Sequence, residues 1–347
     1  MMKLKNLFLS LMALLLVVSA AAQSRKQVRQ YYYWVNQAEL AICDSNYQLA
    51  SECYHLAFSI KRADIRDALF AFKINQLYNY DLERACEAFH FLVQAGNKAY
   101  DEYGTFLDDT TKYQELWNCM KTISDTTKSL VDTNLHNALV EIRNDDQRVR
   151  TVNYGSDELA YVTIGHTDSA NYQKIHHIFK HYKDIDEYNS GCQAMLNAVF
   201  IHFARWRLTT PNIYYKKMVK NGRLSAANYM QNYDYCYHSI YKSDDNTTYG
   251  TNASYTYVIN NTLFVRYPTD IKQINKNRRK LNTAETWEDY IKKVMYVYQS
   301  DSPFRFYPQQ MMFYGDPDVQ EQMEKDERAR YDDGEVHGVY YEINPKK

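Results

Sequence analysis

The chain has 347 residues, and its 41 lysines and arginines nearly balance 42 aspartates and glutamates, for a formal charge of −1 at pH 7. A charge this close to zero argues against a nucleic acid or an anionic membrane as the partner. The 34 tyrosines stand beside only 10 glycines and 6 prolines. So few helix-breaking residues favour long helices with short connections.

Residues 1–22 have the order of a secretory signal peptide. Lys3 and Lys5 precede an apolar stretch that ends at Val18, and Ala20–Ala22 follow it. The apolar stretch is shorter than the roughly 20 residues of a membrane-spanning helix. We therefore expect a cleaved export signal, no membrane span, and a mature protein in the periplasm or outside the cell.

Residues 23–124 have the pattern of helical hairpins. In a tetratricopeptide repeat, small residues face large ones where two helices cross. The first hairpin has these at Trp34, Ala38, Tyr47, Ala50, Tyr54 and Ala57, and part of the pattern recurs at Leu69, Leu82, Ala85, Phe89 and Leu92. Lys73 and Arg62 depart from the repeat. The pattern predicts a tetratricopeptide-like domain, with chance helical hairpins as the alternative.

Residues 133–300 are expected to form a second, mostly helical domain. Leu135, Leu139 and Ile142 have helical spacing, Tyr161–Ile164 predicts an extended piece, and a helix is expected from near Asp168. Two β-rich segments, Tyr255–Ile259 and Thr262–Arg266, flank Asn260-Asn261 and predict a β-hairpin. The expected fold class is mainly α, with tetratricopeptide-like hairpins before a helical domain with a small β-hairpin. Residues 301–347 are expected as a charged tail, although Asp316-Pro317 is equally a helix start.

Several short motifs occur in order between Leu135 and Val294. They are Asp146–Arg150 (D-Q-x-x-R), Asp168–Asn171 (D-x-x-N), His202 on an apolar helix, Lys220–Ser225 (K-x-G-x-L-S), Asp234, Tyr249–Asn252 (Y-G-T-N) and Asn275–Arg279 (N-x-x-R-R). This order resembles the family catalogued as domain of unknown function 6624, common among secreted proteins of Bacteroidetes. The resemblance makes Gln147, Arg150, Tyr249, Asn252 and Arg279 candidate ligand-binding residues.

The chain also departs from that family. Its G-W-P turn is absent, Tyr235 stands where the family has arginine after the aspartate, and Ile201 stands where it has glutamine before the histidine. Chemistry that needs this arginine to hold an anion is lost. The departures favour a binding role over the unknown activity of the relatives.

His202 is the candidate on which the function classes divide. It shares an apolar helix stripe with Met195, Val199 and Trp206, so its imidazole is expected to be buried and to need a polar partner. Asp146 or Asp234 can supply one, which suggests a general acid-base site. The alternative is a core histidine satisfied by a backbone carbonyl.

The six cysteines are widely spaced and form no C-x-x-C pair. Buried thiols are favoured over disulfides in a chain of this size, although an oxidising compartment permits both. No phosphate loop, dinucleotide fingerprint or metal-ligand frame occurs, so no cofactor or metal is expected. The function expected is an exported protein- or peptide-binding module of the bacterial cell envelope. The alternative is a hydrolase-like enzyme that uses His202 with Asp146 or Asp234.

Overall fold

The computed structural model describes most of the chain from Ser24 to Ile343. The described ranges are 24–79, 81–96, 113–152, 158–182, 184–191, 210–241, 247–251, 255–299, 303–306, 311–313 and 316–343, of which 152, 158–161, 210, 235–241 and 311–313 are described for the backbone alone. Over these residues the fold is mainly helical with one small sheet, which confirms the expected class.

The N-terminal part consists of helices that pack side by side as hairpins. They are α1 (Arg25–Cys43), α2 (Tyr47–Ile60), α3 (Ile65–Leu77), α4 (Leu82–Gln94) and α5 (Gln114–Thr126). Ser24 and Gln27 form a capping box at the start of α1. Ala38, Ala50 and Ala57 are fully buried. Small side chains at these positions allow the close crossing of α1 and α2 that the sequence pattern predicts.

A disulfide joins Cys86 on α4 to Cys119 on α5, and Cys43 and Cys53 are free thiols. The expectation of buried free thiols is therefore wrong for Cys86 and Cys119. Their separation of 33 residues gave no indication of pairing, because only the packing of α5 against α4 brings the two together.

The central part contains α6 (Thr133–Val152), α7 (Glu158–His181), α8 (Thr210–Lys220) and α9 (Ala226–Tyr241). The extended piece predicted at Tyr161–Ile164 is wrong, because those residues lie within α7. No proline interrupts the segment, and helix propagation outweighs the β preference of its branched residues. Side chains of α6 to α9 share a core that includes Leu139, Ile175 and Tyr229.

The C-terminal part contains the sheet and three helices. Its elements are β1 (Thr256–Ile259), β2 (Thr262–Arg266), α10 (Ile271–Arg279), α11 (Trp287–Gln299), β3 (Met311–Phe313), α12 (Pro317–Asp332) and β4 (Gly338–Glu342). The strand order is β3-β1-β2-β4, with β3 parallel to β1 and the other pairs antiparallel. The expected β1–β2 hairpin forms, with Asn260 at a φ of 52° in its turn.

The charged tail expected at residues 301–347 is also corrected. Asp316 caps α12, and β4 pairs with β2 over five residues. Tyr331 of α12 packs against Phe264 on one face of the sheet. Many charged residues of α12 are exposed, as in a solvated segment, but Glu324, Glu327 and Arg328 contact the sheet at Thr262 and Tyr257.

The helix α11 packs into the core of the N-terminal hairpins rather than into that of α6 to α9. The other face of the sheet, through Val258 and Leu263, joins the same core. The sequence boundaries 23–124 and 133–300 therefore do not separate two cores. Across the described residues, no helix combines the length and apolar character that crossing a membrane requires.

Candidate functional site

The candidate residues on α6 form a helix-to-helix connection. Arg150 donates one hydrogen bond to Asp146 Oδ1 and another to Asp168 Oδ1 on α7, each at 2.7 Å. Gln147 Nε2 donates to the other oxygen of Asp146 at 2.7 Å. Asp146 is 1% exposed. The D-Q-x-x-R and D-x-x-N motifs thus meet in space, with Arg150 bridging the two carboxylates.

Asp234 organises the turn that contains Tyr249. Its carboxylate accepts hydrogen bonds from the backbone N–H groups of Thr248, Tyr249 and Thr251, and from the hydroxyls of Thr247 and Thr251. The side chain is fully buried. A carboxylate that accepts this many bonds from its own chain is occupied as a structural acceptor.

Position 250 of the Tyr249–Asn252 motif requires glycine. Its φ is +73°, and a Cβ at this position would lie 2.4 Å from Trp287 Cδ1. Both facts require glycine, so the turn is shaped for packing. The Tyr249 ring is buried beside Tyr229, and burial raises the pKa of its hydroxyl well above the ordinary value.

The buried arginine of the N-x-x-R-R motif is Arg278, whereas the candidate Arg279 is exposed. Arg278 donates to the backbone carbonyl of Tyr249 at 2.8 Å and pairs with Glu285. Its position four residues after the buried Ile274 was an available indication, because residues at this spacing share a helix face.

His202 and Asn252 lie outside the described residues. Their convergence with Asp146 and Asp234 therefore stays a prediction. Within the described part of the chain, no group of three or more histidine, cysteine, aspartate or glutamate side chains is arranged to hold a metal ion.

A polar cavity lies where the N-terminal hairpins meet the rest of the chain, and we call it the seam pocket. Its walls come from α1 and α3, the 184–191 loop, the start of α9, and the segment from Thr283 to Lys293. The cavity measures about 50 Å³, room for roughly three to five water molecules, and is partly open to solvent. Its charged lining consists of Glu39, Asp64, Asp67, Glu187, Glu285, Arg66 and Lys293.

Lys293 of α11 is the central cation of the seam pocket. It is 1% exposed and donates hydrogen bonds to Glu39 of α1, to Asn36 at 2.7 Å and to Glu285 at 2.8 Å. Burial by itself lowers the pKa of Lys293, but Glu285 and Glu39 outweigh burial and raise it. Lys293 is therefore charged and fully paired.

Arg66 of α3 closes a second side of the seam pocket. It donates to Glu39 Oε1 at 2.7 Å and to the backbone carbonyl of Phe306 at 2.6 Å. Phe304 and Phe306 are buried against Phe70 of the same helix. The 303–306 segment and α11 thus cover part of the face that the hairpins present.

Burial raises the pKa of two carboxyl groups in the seam pocket, Asp67 and Glu187. Burial raises the pKa of Asp67 to about 7, with Arg66 opposing and Asp64 reinforcing the effect. Burial also raises the pKa of Glu187 to about 8, and the charge of Asp64 adds to it. Asp67 accepts a hydrogen bond from Tyr31 at 2.7 Å.

Glu187 is the least satisfied of these carboxyl groups. Among the described residues it accepts one hydrogen bond, from the backbone N–H of Ile65 at 2.8 Å. It is only 5% exposed and lines the seam pocket.

No sequence motif marks the seam pocket, although two of its charged residues have helical spacing from apolar residues. Glu39 lies four residues after Val35 and three before Ile42, and both of these are buried. Lys293 lies three residues after the buried Tyr290 and four before Val297. A charge on the apolar face of a helix indicates a buried partner.

A comparison of the chain with protein-family models, with curated proteins and with solved structures found no match in any of the three.

Proposed function

We propose that this chain is an exported binding protein whose seam pocket takes the cationic group of a peptide, either an ammonium or a guanidinium. The proposal keeps the peptide-binding role expected from sequence and moves the binding site. Repeat arrays bind partners on a concave face, but part of the hairpin face in this chain is covered by α11 and the 303–306 segment.

The observation that carries the proposal is that the seam pocket holds more carboxyl groups than cations. Among the described residues, its five carboxylates face the two lining cations, Arg66 and Lys293. Two further cations outside the lining form ion pairs with its carboxylates, Lys61 with Asp64 and Arg278 with Glu285. With all five carboxyl groups ionised, four cations would leave one of them without a counter-charge.

Glu187 is the carboxylate that lacks a cation. Burying a carboxylate without a counter-charge is costly, so burial raises the pKa of Glu187 and a proton neutralises it near pH 7. A glutamine would fill the same volume without this cost. Groups that lower stability in this way occur where function requires them.

A ligand cation would replace the proton on Glu187 and complete the charge balance. The roughly 50 Å³ cavity is large enough for an ammonium or a guanidinium group. The ionised Glu187 carboxylate and the hydroxyl and amide oxygens of the lining provide acceptors. Binding through Glu187 therefore releases a proton, and affinity increases with pH up to about 8.

The hydrolase-like alternative gains no support from the described residues. Asp234 is occupied by the turn that ends at Thr251, and Asp146 is held by Arg150 and Gln147. Export is supported by the Cys86–Cys119 disulfide, since such bonds persist mainly in oxidising compartments.

The test is calorimetry with four blocked tripeptides that differ only in a central lysine, arginine, norleucine or glutamate. We expect the lysine or arginine peptide to bind and the other two not to bind. The dissociation constant should fall about tenfold per pH unit between pH 5 and 7 and level off near 8, because one proton is displaced. No binding by either cationic peptide at any pH would refute the proposal.

The matched variants are Glu187→Gln and Glu52→Gln. Glu52 is an exposed glutamate on the outer side of α2. Glu187→Gln should weaken binding at least tenfold and remove its pH dependence, whereas Glu52→Gln should bind like the wild type. Equal affinity of the two variants would contradict the role of Glu187.

A further inference from the structure

A group of lysines lies close to the seam pocket along the chain, on α8 and just beyond α10. We call Lys216, Lys220 and Lys280 the basic rim. Neither 210–223 nor 271–282 contains an aspartate or glutamate. Asn282 donates to the backbone carbonyl of Lys220 at 2.7 Å, so the ends of the two helices meet.

Lys220 and Lys280 lie close enough to Lys216 for their charges to act on it. Burial lowers the pKa of the half-buried Lys216, and the charges of Lys220 and Lys280 lower it further. In the described part of the chain, none of the three forms an ion pair with a carboxylate, although Lys280 donates to the side-chain amide of Asn277.

Helix dipoles explain only part of this arrangement. The carbonyl end of a helix favours a cation in its last turn, which accounts for Lys220 taken singly. The helix dipole does not explain why the carbonyl ends of α8 and α10 meet with three lysines and no paired carboxylate among the described residues. An anion held by the three lysines would relieve the repulsion.

The basic rim is within reach of the seam pocket. Thr283 lines the pocket, and Lys280 precedes it by three residues. Since consecutive Cα atoms are about 3.8 Å apart, the Cα atoms of these two residues lie no more than about 11 Å apart. The backbone N–H of Glu187 also donates to the carbonyl of Arg223, three residues after Lys220, at 3.2 Å.

We infer that the seam pocket and the basic rim bind the two charged ends of one ligand, a peptide that ends in lysine or arginine with a free carboxylate. In such a residue the side-chain cation and the carboxylate are only a few bonds apart, so the two charges can occupy neighbouring sites. The inference rests on the proposed function, because the cationic end occupies the seam pocket. It adds the class of ligand, which the pocket alone does not define.

The experiment compares two forms of an acetylated peptide ending in lysine, one with a free carboxylate and one amidated. The acid form should bind at least tenfold more tightly than the amide. Lys280→Gln should abolish that difference and leave the affinity for the amide unchanged. Lys272→Gln, an exposed lysine at the opposite end of α10, is the matched control and should keep the difference.

NMR titration of the lysine side chains gives an independent readout. The bound acid form should raise the pKa of Lys216, because a carboxylate at the basic rim offsets the charges of Lys220 and Lys280. An unchanged Lys216 pKa with the acid form bound would place the carboxylate elsewhere and overturn the inference.

The outcomes separate this inference from the proposed function. Equal affinity for the acid and amide forms, both lost in Glu187→Gln, would refute the role of the basic rim and leave the seam pocket as a cation site. If neither form binds, the proposed function fails and the inference fails with it.

Discussion

Replacing Glu187 with glutamine should stabilise the protein, and by an amount that depends on pH. Glutamine has the same shape, keeps an oxygen for the Ile65 N–H, and carries no titratable proton. The substitution therefore removes the cost of neutralising a buried carboxylate and little else.

The size of the effect follows from the two pKa values of Glu187. The ordinary value is 4.5, which applies to the unfolded chain, and burial raises the folded value to about 8. At pH 7 the unfolded chain is ionised at this residue while the folded one is protonated. Each pKa unit corresponds to about 1.4 kcal/mol, so folding at pH 7 costs about 3 kcal/mol at this residue.

The sign of the pH dependence is fixed by the raised pKa. Below pH 4.5 both states are protonated, and Glu187 contributes no penalty. Stability is lost as the pH rises towards 8, because only the folded state still binds the proton. The variant should match the wild type near pH 4 and exceed its free energy of unfolding by about 3 kcal/mol at pH 7.

Urea unfolding followed by circular dichroism at several pH values between 4 and 9 measures this difference. Glu52→Gln is the control, and it should change stability by less than about 0.5 kcal/mol at every pH. If Glu187→Gln tracks the wild type at all pH values, or is less stable at pH 7, then Glu187 is not an unpaired buried acid.

Two further predictions concern the stability of other parts of the structure. Asp234→Ala leaves the backbone N–H groups of Thr248, Tyr249 and Thr251 without their acceptor. The free energy of unfolding measured with urea should therefore fall by at least about 3 kcal/mol. Normal stability with lost ligand binding would instead indicate a functional carboxylate. Replacing Cys86 and Cys119 by serine opens a loop with a sequence separation of 33 and should lower the free energy of unfolding by between about 3 and 4 kcal/mol, whereas a wild-type protein equally stable with and without reductant would show that the bond contributes nothing.

Local patterns predicted much of the secondary structure. Helical spacing placed α1, α2 and α6, and the Asn260-Asn261 turn placed the β-hairpin. These elements depend on residues three to four, or two, positions apart, and such spacings are visible in one sequence. Prediction from local residue preference failed at Tyr161–Ile164. The branched residues there favour a strand, but the segment is part of the continuous helix α7.

The motifs of the family resemblance were also partly informative. They identified the buried Asp146 and Asp234, which accept hydrogen bonds from Arg150 and from the backbone of Tyr249, respectively. No local pattern indicates that Asp234 accepts hydrogen bonds from a turn, because its donors belong to residues more than ten positions later. The resemblance also selected the exposed Arg279 where Arg278 is the buried member of the pair.

By itself, the sequence determined the helical class, the hairpin pattern of the N-terminal part and the near-neutral charge, because each depends on composition or on short-range spacing. Only the tertiary structure decided where a functional site can lie. The seam pocket joins Glu39 of α1 to Lys293 of α11, residues separated by 254 positions. Helix periodicity indicates that such charges are buried, but their partners depend on how distant helices pack, and no local pattern records that packing.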